Sequence, residues 1–308
     1  MVRVSAVIAV YNGASTIDRA IESVLKQDFS GFEIIVVDDG STDSTVERLK
    51  QWGDKIRVVR QANRGPASAR NHGVRVAAGD YLAFLDADDE WMPGKLSKMV
   101  GALDSAPGAA LAYSNFVSVN EAGREQKDSL VRAGCDHAPS MGEMLTHWWP
   151  ILTSAVVMRR QVFDLCGGFH EAFKSAGYED PYLWLLAREH GDFIYIREPL
   201  AVYRIEPDLE RLRKYASGCA TFVRLVRERY GARGAALTRE VSDARVSSLG
   251  YEGLLAMRRG DKRDARRAFM LALRCKPLSL RSAGRLLRTF LPLNLAQALA
   301  GRTRSKPG

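Results

Sequence analysis

The sequence has few of the residues that build disulfide frameworks or histidine metal sites. Its 308 residues include four cysteines and five histidines. The cysteines lie 31, 53 and 56 residues apart, a spacing that matches neither a zinc site nor a dense set of disulfides. The histidines contain no pair at the spacing of a helical metal site. A functional site on this chain is therefore expected to use other side chains.

Long hydrophobic runs are also missing. No apolar stretch reaches the ~18 residues that a membrane-spanning helix needs, and the segment Val2–Val10 lacks the charged start and the cleavage site of a signal peptide. No G-x-G-x-x-G segment follows a predicted strand, which argues against an NAD enzyme. These absences lead us to expect a cytoplasmic protein.

Charge is distributed unevenly along the chain. Residues 224–308 contain 20 Lys and Arg against 6 Asp and Glu, whereas residues 1–223 contain 25 against 30. This asymmetry suggests two modules, with the basic one facing an anionic surface such as phospholipid at the inner face of the membrane, or an acidic polymer. A solvated helix face explains the same arginine-rich stretches, so both interpretations stand.

The first 115 residues alternate apolar strands with amphipathic helices, a pattern typical of a mainly parallel sheet with helices on both faces. Ile17, Ala20, Ile21, Val24 and Leu25 form one apolar helical stripe. Further helices are predicted after Asp43 and from Pro66, where proline fits a first helical turn. Strands are predicted near Val4–Val10, Phe32–Asp38, Ile56–Arg60, Tyr81–Leu85 and Ala109–Tyr113.

The rest of the chain is predicted to continue in three parts. A hairpin is expected at Asn120–Gly123, a strand at Ile151–Met158 and a tight turn at Gly167–Phe169. A helix should cover Pro181–His190, with its first turn near Glu179 and Asp180, and the chain beyond Asp208 should be wholly helical. We therefore predict a catalytic domain over residues 1–207, with halves at 1–115 and 116–207, and a basic helical region over residues 208–308.

Carboxylates follow the strand Tyr81–Leu85 directly. Asp86 and Asp88 are two residues apart, so an extended backbone points both to the same side. Hard oxygen ligands in that arrangement suit Mg²⁺ or Mn²⁺ shared with a substrate diphosphate. A polar turn after a strand is the alternative, because Asp is common where chains leave sheets.

Polar residues also end the other predicted strands at the same edge of the sheet. Tyr11 and Asn12 end the first strand, and Asp38 and Asp39 end the second. Open α/β folds bind ligands at this edge, and a nucleotide offers both donors and a diphosphate. The segment Asn63–Asn71 adds a helix start and arginines that suit phosphate oxygens, although an ordinary helix start explains it too.

Six segments in order make the chain resemble the family-2 glycosyltransferases, which have the A-type glycosyltransferase fold. The likeness covers residues 1 to about 207, and coincidence does not explain all six segments together. The matching segments are Val4–Asn12, Ile35–Asp43, Asn63–Asn71, Phe84–Asp89, Gly167–Phe169 and Glu179–Asp180.

This resemblance implies roles for individual residues. Tyr11 would border the base of the nucleotide, Asp39 would accept from the base with Asp38 behind it, and Arg70 would face the nucleotide. Asp86 would meet the ribose and Asp88 the metal ion, with Asp86 beside it. The remaining residues assigned to the nucleotide sugar are Ala9, Asn12, Asn63 and Ala87.

The acceptor side is expected to contain the acidic pair Glu179 and Asp180. A hydroxyl is a poor nucleophile, so a carboxylate must take its proton as C1 of the sugar is attacked, and Asp180 is the candidate base. A single displacement inverts the anomeric centre. Gly168 and Phe169 are assigned to the acceptor by the resemblance, and Trp148 is either a sugar platform or packed core.

One position departs from the family pattern. Many relatives place a histidine two residues after a Tyr-Arg pair to complete the metal site, but here Tyr203 and Arg204 are followed by Ile205 and Glu206. Glutamate can ligate a hard cation, or Glu206 is a surface residue and the ligand is missing.

The resemblance implies a metal-dependent inverting transferase that moves a sugar from a nucleotide-diphosphate donor, most simply a UDP-sugar, to a saccharide or lipid-linked acceptor in cell-surface polysaccharide or glycolipid synthesis. The competing interpretation is a catalytically weak or inactive scaffold with this fold that binds a partner through its helical tail. A haloacid dehalogenase phosphatase would need its Asp-x-Asp near the first strand. The other partners to test are a membrane surface and a second copy of the chain, whereas nucleic acid is not expected.

Overall fold

The computed structural model describes residues 2–119, 137–174, 176–204, 209–258, 260–275 and 280–290. They divide into two compact units. The first contains the described residues up to 174 and residues 179–204, and the second contains residues 176–178 and the described residues from 209 onward. The expected hairpin at Asn120–Gly123 lies outside the described residues.

Within the described residues, the first unit has one eight-stranded sheet with the strand order β3-β2-β1-β4-β7-β6-β8-β5. The strands β1 to β4 are parallel to one another, whereas β7 runs antiparallel to both β4 and β6. The mainly parallel sheet that the sequence predicted is confirmed. The strands are β1 (Val4–Val10), β2 (Phe32–Asp38), β3 (Arg57–Arg60), β4 (Tyr81–Asp86), β5 (Glu90–Trp91), β6 (Ala109–Val119), β7 (Val156–Arg159) and β8 (Asp192–Arg204).

Helices cover both faces of this sheet. Alternate residues of β1 pack against the apolar stripe of α1 and against α4 on one face, while Val7 of β1 lies against Gly73 of α3 on the other. The helices of this unit are α1 (Ile17–Leu25), α2 (Thr45–Lys50), α3 (Pro66–Val76), α4 (Lys95–Ser105), α5 (Met141–Thr146), α6 (Arg160–Leu165) and α7 (Glu179–Arg188).

The prediction of one strand over Ile151–Met158 is wrong in its first half. Thr153–Ala155 forms a 3-10 turn, and the strand β7 begins only at Val156. The reason is that Thr153 and Ser154 are buried and hydrogen-bond to other side chains, so they leave the extended conformation. The strand β8 and the helix α4 were not predicted. The pairing of β8 with β6 shifts register near Pro199. The sequence of β8 therefore lacks the regular alternation of apolar and polar residues that would predict a strand.

In its described residues beyond 208, the second unit consists of helices joined by short turns, in agreement with the helical region that the sequence predicted. Its α9 and α10 pack so closely that a Cβ on Gly253 would lie 2.4 Å from the ring of Phe269. Tyr178 belongs to this unit, and its hydroxyl accepts a hydrogen bond from Arg245 at 2.9 Å. The helices are α8 (Leu209–Tyr230), α9 (Ala235–Arg258), α10 (Lys262–Cys275) and α11 (Leu280–Arg288).

Among the described residues, no helix combines the length and the apolar character needed to cross a bilayer.

Candidate active site

The register of the parallel strands brings the predicted acidic residues to one edge of the sheet. Ala9 of β1 lies opposite Asp86 of β4, and Val10 lies opposite Asp38 of β2. The backbone N–H of Asp39 donates to the carbonyl of Val10 at 2.8 Å. The carboxyl ends of β1, β2 and β4 therefore meet, and the residues predicted from three separate segments lie side by side.

The carboxylate of Asp39 holds the loop that leads into α3. It is buried and accepts from the Gln61 side chain at 2.8 Å and from the backbone N–H groups of Arg64 and Gly65 at 2.9 and 2.8 Å. A carboxylate has about four lone-pair positions, so three donors leave room for a further one. The same loop carries Asn63, whose backbone nitrogen would lie 2.9 Å from a Cβ on Gly40.

Asp38 is a second buried carboxylate with partners inside the protein. Its Oδ1 accepts from the backbone of Ser41 at 3.0 Å, and its Oδ2 forms an ion pair with Nε of Arg60 at 2.9 Å. Asp38 thus shapes the turn after β2, consistent with its predicted place behind Asp39.

Tyr11 and Asn12 extend from the end of β1. Tyr11 is 51% exposed, which is unusual for a large aromatic side chain. Asn12 adopts a positive φ of 51°, and its side-chain oxygen accepts from the backbone of Thr42 at 2.8 Å. That contact ties the turn after β1 to the turn after β2 and leaves the ring of Tyr11 facing solvent.

Arg70 lies between the two predicted halves of the site. One guanidinium nitrogen donates to Asp86 at 2.5 Å and the other to Glu179 at 2.9 Å, and the ring of Phe169 lies 5.3 Å from the guanidinium carbon. Burial alone would lower the pKa of Arg70, but the charges of Asp86 and Glu179 outweigh it and raise this pKa. Arg70 is therefore a buried, permanent cation that joins Asp86 to Glu179.

Not every polar atom of this buried cluster, formed by Arg70, Asp86 and Glu179, has a hydrogen-bond partner. Within the described residues, Nε of Arg70 and Oε2 of Glu179 are buried and have no hydrogen-bond partner. Such groups cost roughly 1–3 kcal/mol each and are rare in finished protein cores. A polar ligand bound beside Arg70 and Glu179 would supply partners to both atoms.

Asp180, next to Glu179, is only partly buried. Its Oδ2 accepts a hydrogen bond from the hydroxyl of Thr153 at 3.0 Å. Burial and the negative charge of Glu179 raise the pKa of Asp180 to about 7, against the opposing effects of Arg70 and Thr153. A carboxyl with a pKa near neutrality can both take and release a proton, which is what a general base needs.

The turn after β4 contains the candidate metal ligands. Asp86 and Asp88 are half-buried, whereas Asp89 is buried and accepts from Ser154 at 2.6 Å and from the backbone of Arg204 at 3.1 Å. Burial and the charges of Asp88 and Asp86 raise the pKa of Asp89 well above its ordinary value. Negative charges this close together favour a cation nearby.

Within the described residues, no group of three or more His, Cys, Asp or Glu side chains could hold a metal ion. Glu206, the third predicted ligand, lies outside those residues. Magnesium is commonly held by only one or two carboxylates together with substrate phosphates, and Asp86 and Asp88 fit that arrangement. The residues present are therefore suited to a metal that arrives with a diphosphate.

The three residues predicted for the acceptor have different surroundings. Gly168 has a positive φ of 77°, and a Cβ there would lie 2.7 Å from the side-chain oxygen of Asn71. That same Asn71 exchanges hydrogen bonds with the backbone of Phe169, whose ring is buried against Phe84. Trp148 is half-buried. Gly168 and Phe169 therefore shape the core under Arg70, and acceptor contacts of all three remain predictions.

Thr153 and Ser154 were missed by the sequence reasoning. Both were included in a predicted strand, although each contacts a carboxylate of the site. Two adjacent hydroxyl residues within an apolar run were the available signal, because a buried hydroxyl requires a partner.

A separate cavity of about 730 Å³ lies at the opposite, amino edge of the sheet, lined in part by Arg3, Tyr81 and Arg159. Arg3 and Arg159 donate to partners within the protein, whereas Nη2 of Arg160 is buried and has no hydrogen-bond partner among the described residues. Asp104 accepts from Arg3 at 2.9 Å and from the hydroxyl of Tyr81 at 2.7 Å. The carboxyl edge is the better candidate because the ends of β1, β2 and β4 meet there beside the ion pairs of Arg70.

Much of this edge lies in a segment that matches a known protein family. The family model described as "Glycosyl transferase family 2" matches residues 5–167, which is more than half of the chain. The chain belongs to glycosyltransferase family 2. The match includes the ends of β1, β2 and β4, so the acidic edge lies inside the family region.

Curated relatives in family 2 include an uncharacterized glycosyltransferase of Nostoc sp., 46% identical over 225 residues that cover 66% of this chain and 65% of the relative. Another is WfaP of Escherichia coli, named as a UDP-Glc:alpha-D-GlcNAc-diphosphoundecaprenol beta-1,3-glucosyltransferase. It is 32% identical over 59% of this chain and 68% of its own length. The match thus spans about two thirds of the length of these relatives.

Solved structures show the same fold. TarS of S. aureus (residues 1–349) matches with a TM-score of 0.62 at 18% identity, covering 97% of this chain and 91% of TarS. The mannosyltransferase PcManGT of Pyrobaculum calidifontis, solved with GDP-Man and Mn²⁺, matches with a TM-score of 0.59 at 17% identity, covering 96% and 83%. The A-type glycosyltransferase fold expected for family 2 is confirmed.

Proposed function

We propose that this family-2 protein is a metal-dependent inverting glycosyltransferase. It would move a sugar from a nucleotide diphosphate to a hydroxyl of a saccharide or lipid-linked acceptor, in the synthesis of cell-surface polysaccharide or glycolipid. The observation that carries this proposal is the Arg70 cluster, which joins Asp86 of the donor-side turn to Glu179 beside the candidate base. Donor and acceptor chemistry would thus meet around one buried cation.

The donor would lie along the carboxyl ends of β1, β2 and β4. The exposed ring of Tyr11 offers a stacking surface for a base, and the remaining lone pair of Asp39 can accept from it. Ala9, Asn12, Asn63 and Ala87 would line this edge. Arg70 and Asp86 would exchange part of their mutual ion pair for contacts with the nucleotide.

Asp180 would act as the general base. Its carboxylate takes the proton of the acceptor hydroxyl while that oxygen forms a bond to C1 of the sugar and the bond from C1 to the diphosphate oxygen breaks. The nucleoside diphosphate leaves with the electron pair, and attack from the opposite face inverts C1. Glu179, held by Arg70, keeps a negative charge beside Asp180 that favours proton uptake.

A divalent cation would be held by Asp88 and Asp86 together with the diphosphate. Magnesium or manganese bound there supplies positive charge for the leaving group. Support for manganese comes from PcManGT, which was solved with this ion. Support for a UDP-sugar comes from WfaP, which is named for UDP-Glc, and from TarS, which was solved with UDP-GlcNAc. The name of WfaP also supports a lipid-linked acceptor.

A second proposal concerns the basic residues 224–308. Their excess of Lys and Arg would place the protein on anionic phospholipid at the cytoplasmic face of the membrane, where lipid-linked acceptors lie. Sedimentation with vesicles that contain anionic lipid, compared with neutral vesicles and at rising salt, tests this placement. Light scattering in the same buffer tests whether a second copy of the chain is bound.

Nucleotide binding is the first test of the main proposal. Thermal unfolding is followed with UDP, GDP, dTDP and CMP, each with and without Mn²⁺. A ligand at 100 times its Kd stabilises the folded state by about 2.7 kcal/mol, so one nucleotide with Mn²⁺ should raise the Tm. If no nucleotide raises the Tm with or without Mn²⁺, the proposed donor site is wrong.

Two substitutions then separate binding from catalysis. Asp180→Asn should reduce transfer by about 10²–10⁴-fold while nucleotide binding is retained, because only the base is removed. Asp88→Ala should remove the stabilisation by Mn²⁺. Asp54→Asn, at an exposed position of the 3-10 turn Gly53–Lys55 before β3, is the matched control and should behave as the unchanged protein.

The inactive-scaffold alternative makes the opposite prediction. A scaffold would show no turnover of a nucleotide sugar with any acceptor. Retention of nucleotide binding without turnover in the unchanged protein would favour the scaffold.

A further inference from the structure

A short 3-10 turn connects the donor-side carboxylates to the candidate base. Thr153 and Ser154 lie in this turn, and they are only 3% and 0% exposed. Buried hydroxyl groups need hydrogen-bond partners, since an unpaired one costs free energy. Both find their partners among the carboxylates of the site, one on each side of the turn.

The acceptor-side contact is made by Thr153. Its hydroxyl donates to Oδ2 of Asp180 at 3.0 Å. Thr153 precedes Asp180 by 27 residues, so this contact depends on the fold and not on neighbouring positions in the chain.

The donor-side contact is made by Ser154. Its hydroxyl donates to Oδ2 of Asp89 at 2.6 Å and accepts from the backbone N–H of Asp86 at 3.1 Å. The Ser154 hydroxyl therefore acts both as donor and as acceptor toward the turn that contains the candidate metal ligands. The carbonyl of Ser154 also accepts from the indole of Trp91 at 2.9 Å, which fixes the turn itself.

We propose that Thr153 is a positioning residue for Asp180, that Ser154 is one for the turn Asp86–Asp89, and that the pair sets the distance between base and donor. The inference rests on the proposed function, because it assumes that Asp180 acts on an acceptor. A rigid link between the two halves matters because misplacement of a reacting group by about 1 Å can cost 10²-fold in rate.

The hydroxyl of Thr153 has a second effect on Asp180. A hydroxyl donor favours the ionised carboxylate, and it therefore opposes the charge of Glu179. The other charged groups that act on Asp180 are Arg70 from α3 and Asp86 from β4. Removal of the hydroxyl should leave a base that is both less well oriented and harder to ionise.

The test compares Thr153→Val, which keeps the shape and removes the hydroxyl, with Thr153→Ser, which keeps the hydroxyl. The reaction measured is hydrolysis of UDP-glucose with Mn²⁺, in which water replaces the acceptor. Thr153→Val should lower kcat about tenfold with KM within twofold, and the acid side of its pH profile should move to higher pH. Thr153→Ser should restore both values.

Two results for Thr153→Val would overturn the inference while the proposed function stands. One is an equal loss of activity at every pH, and the other is a kcat within twofold of that of the unchanged protein. If Thr153→Val does not fold, Thr153→Ala replaces it in the same comparison. Either variant removes the hydroxyl that carries the proposal.

A second measurement does not require enzymatic activity. It therefore separates failure of this inference from failure of the proposed function. Urea unfolding of Thr153→Val, Asp180→Asn and the double variant is followed by tryptophan fluorescence, because all five tryptophans lie in the first unit. The two substitutions should be coupled by at least about fivefold in the unfolding equilibrium constant. Additive effects would overturn the Thr153–Asp180 link even if the protein turned over no UDP-glucose.

Discussion

Among the described residues of the first unit, two cationic side chains are buried, and their surroundings are opposite. Arg70 lies at the carboxyl edge of the sheet and contacts the carboxylates of Asp86 and Glu179. Lys95 lies at the start of α4, fully buried, where its amine contacts the sulfur of Met99 at 3.0 Å and lies 5.3 Å from the ring centre of Trp91. Arg70 forms two ion pairs, whereas the amine of Lys95 contacts the uncharged side chains of Met99 and Trp91.

The two environments have opposite effects on ionisation. The two carboxylates raise the pKa of Arg70 despite its burial, whereas burial lowers the pKa of Lys95 well below its ordinary value. A buried charge is retained where opposite charges compensate for lost hydration, and it is given up where they are missing. The cation with the raised pKa is therefore the one at the candidate site, and the cation with the lowered pKa lies away from it.

Removal of the paired cation should have the largest effect. Arg70→Met leaves Asp86 and Glu179 without their counter-ion, and we expect a loss of about 3–5 kcal/mol in the free energy of unfolding, measured in urea by tryptophan fluorescence. Nucleotide-dependent stabilisation should disappear as well. Adding Glu179→Gln to Arg70→Met should recover part of the loss, because one unpaired charge is removed.

Arg70→Lys sharpens this prediction. Lysine keeps the charge but cannot present two fixed donors to two carboxylates. Its stability should fall between those of the unchanged protein and Arg70→Met. If Arg70→Met unfolded at the same urea concentration as the unchanged protein, the Arg70 cluster would not contribute to stability.

Removal of the Lys95 amine should have a smaller effect on the free energy of unfolding, with the opposite sign. Lys95→Met has nearly the same shape, and it replaces a buried amine with a side chain that needs no hydrogen bonds. We expect a gain of about 1–3 kcal/mol in the free energy of unfolding at pH 7. Lys98→Met, at a half-exposed position of the same helix, is the matched control and should change little. A loss of stability in Lys95→Met would mean that the amine is a favourable part of the core.

The pH dependence of stability should show two opposite slopes. Asp180 has a pKa raised from 3.8 to about 7, so the folded state holds a proton that the unfolded chain releases, and stability falls as pH rises through this window. Lys95 has a lowered pKa, so the unfolded chain holds the extra proton and stability rises as pH approaches 10.5.

Each slope should disappear in one variant only. Urea unfolding from pH 4 to pH 10 should lose the falling limb in Asp180→Asn and the rising limb in Lys95→Met. A falling limb of unchanged size in Asp180→Asn would assign the raised pKa to another group.

Much of the donor-side edge could be predicted because its signals are local. The apolar strand before Asp86 and the spacing of Asp86 and Asp88 are contained within a few residues, and the stripe of α1 follows one helical period. The strand β8 was missed because Glu198 and Pro199 interrupt its apolar pattern, although pairing with β6 holds it in the sheet.

The buried networks could not be predicted in the same way. Arg70 and Glu179 are 109 residues apart in the chain, and nothing near either residue shows that they form an ion pair. Lys95 begins a helix, a position where a lysine is usually exposed, and only the packing of Trp91 and Met99 around it reveals its burial.

By itself, the amino-acid sequence determined the class of fold, the family and the acidic residues that end the strands, because periodicity and motif spacing are properties of neighbouring residues. The tertiary structure was needed to show which carboxylates are held by Arg70, which are held by Thr153 and Ser154, and which buried cation has a lowered pKa. Burial and pairing depend on segments that are distant in the chain, and they set the free energy of every charge in the site.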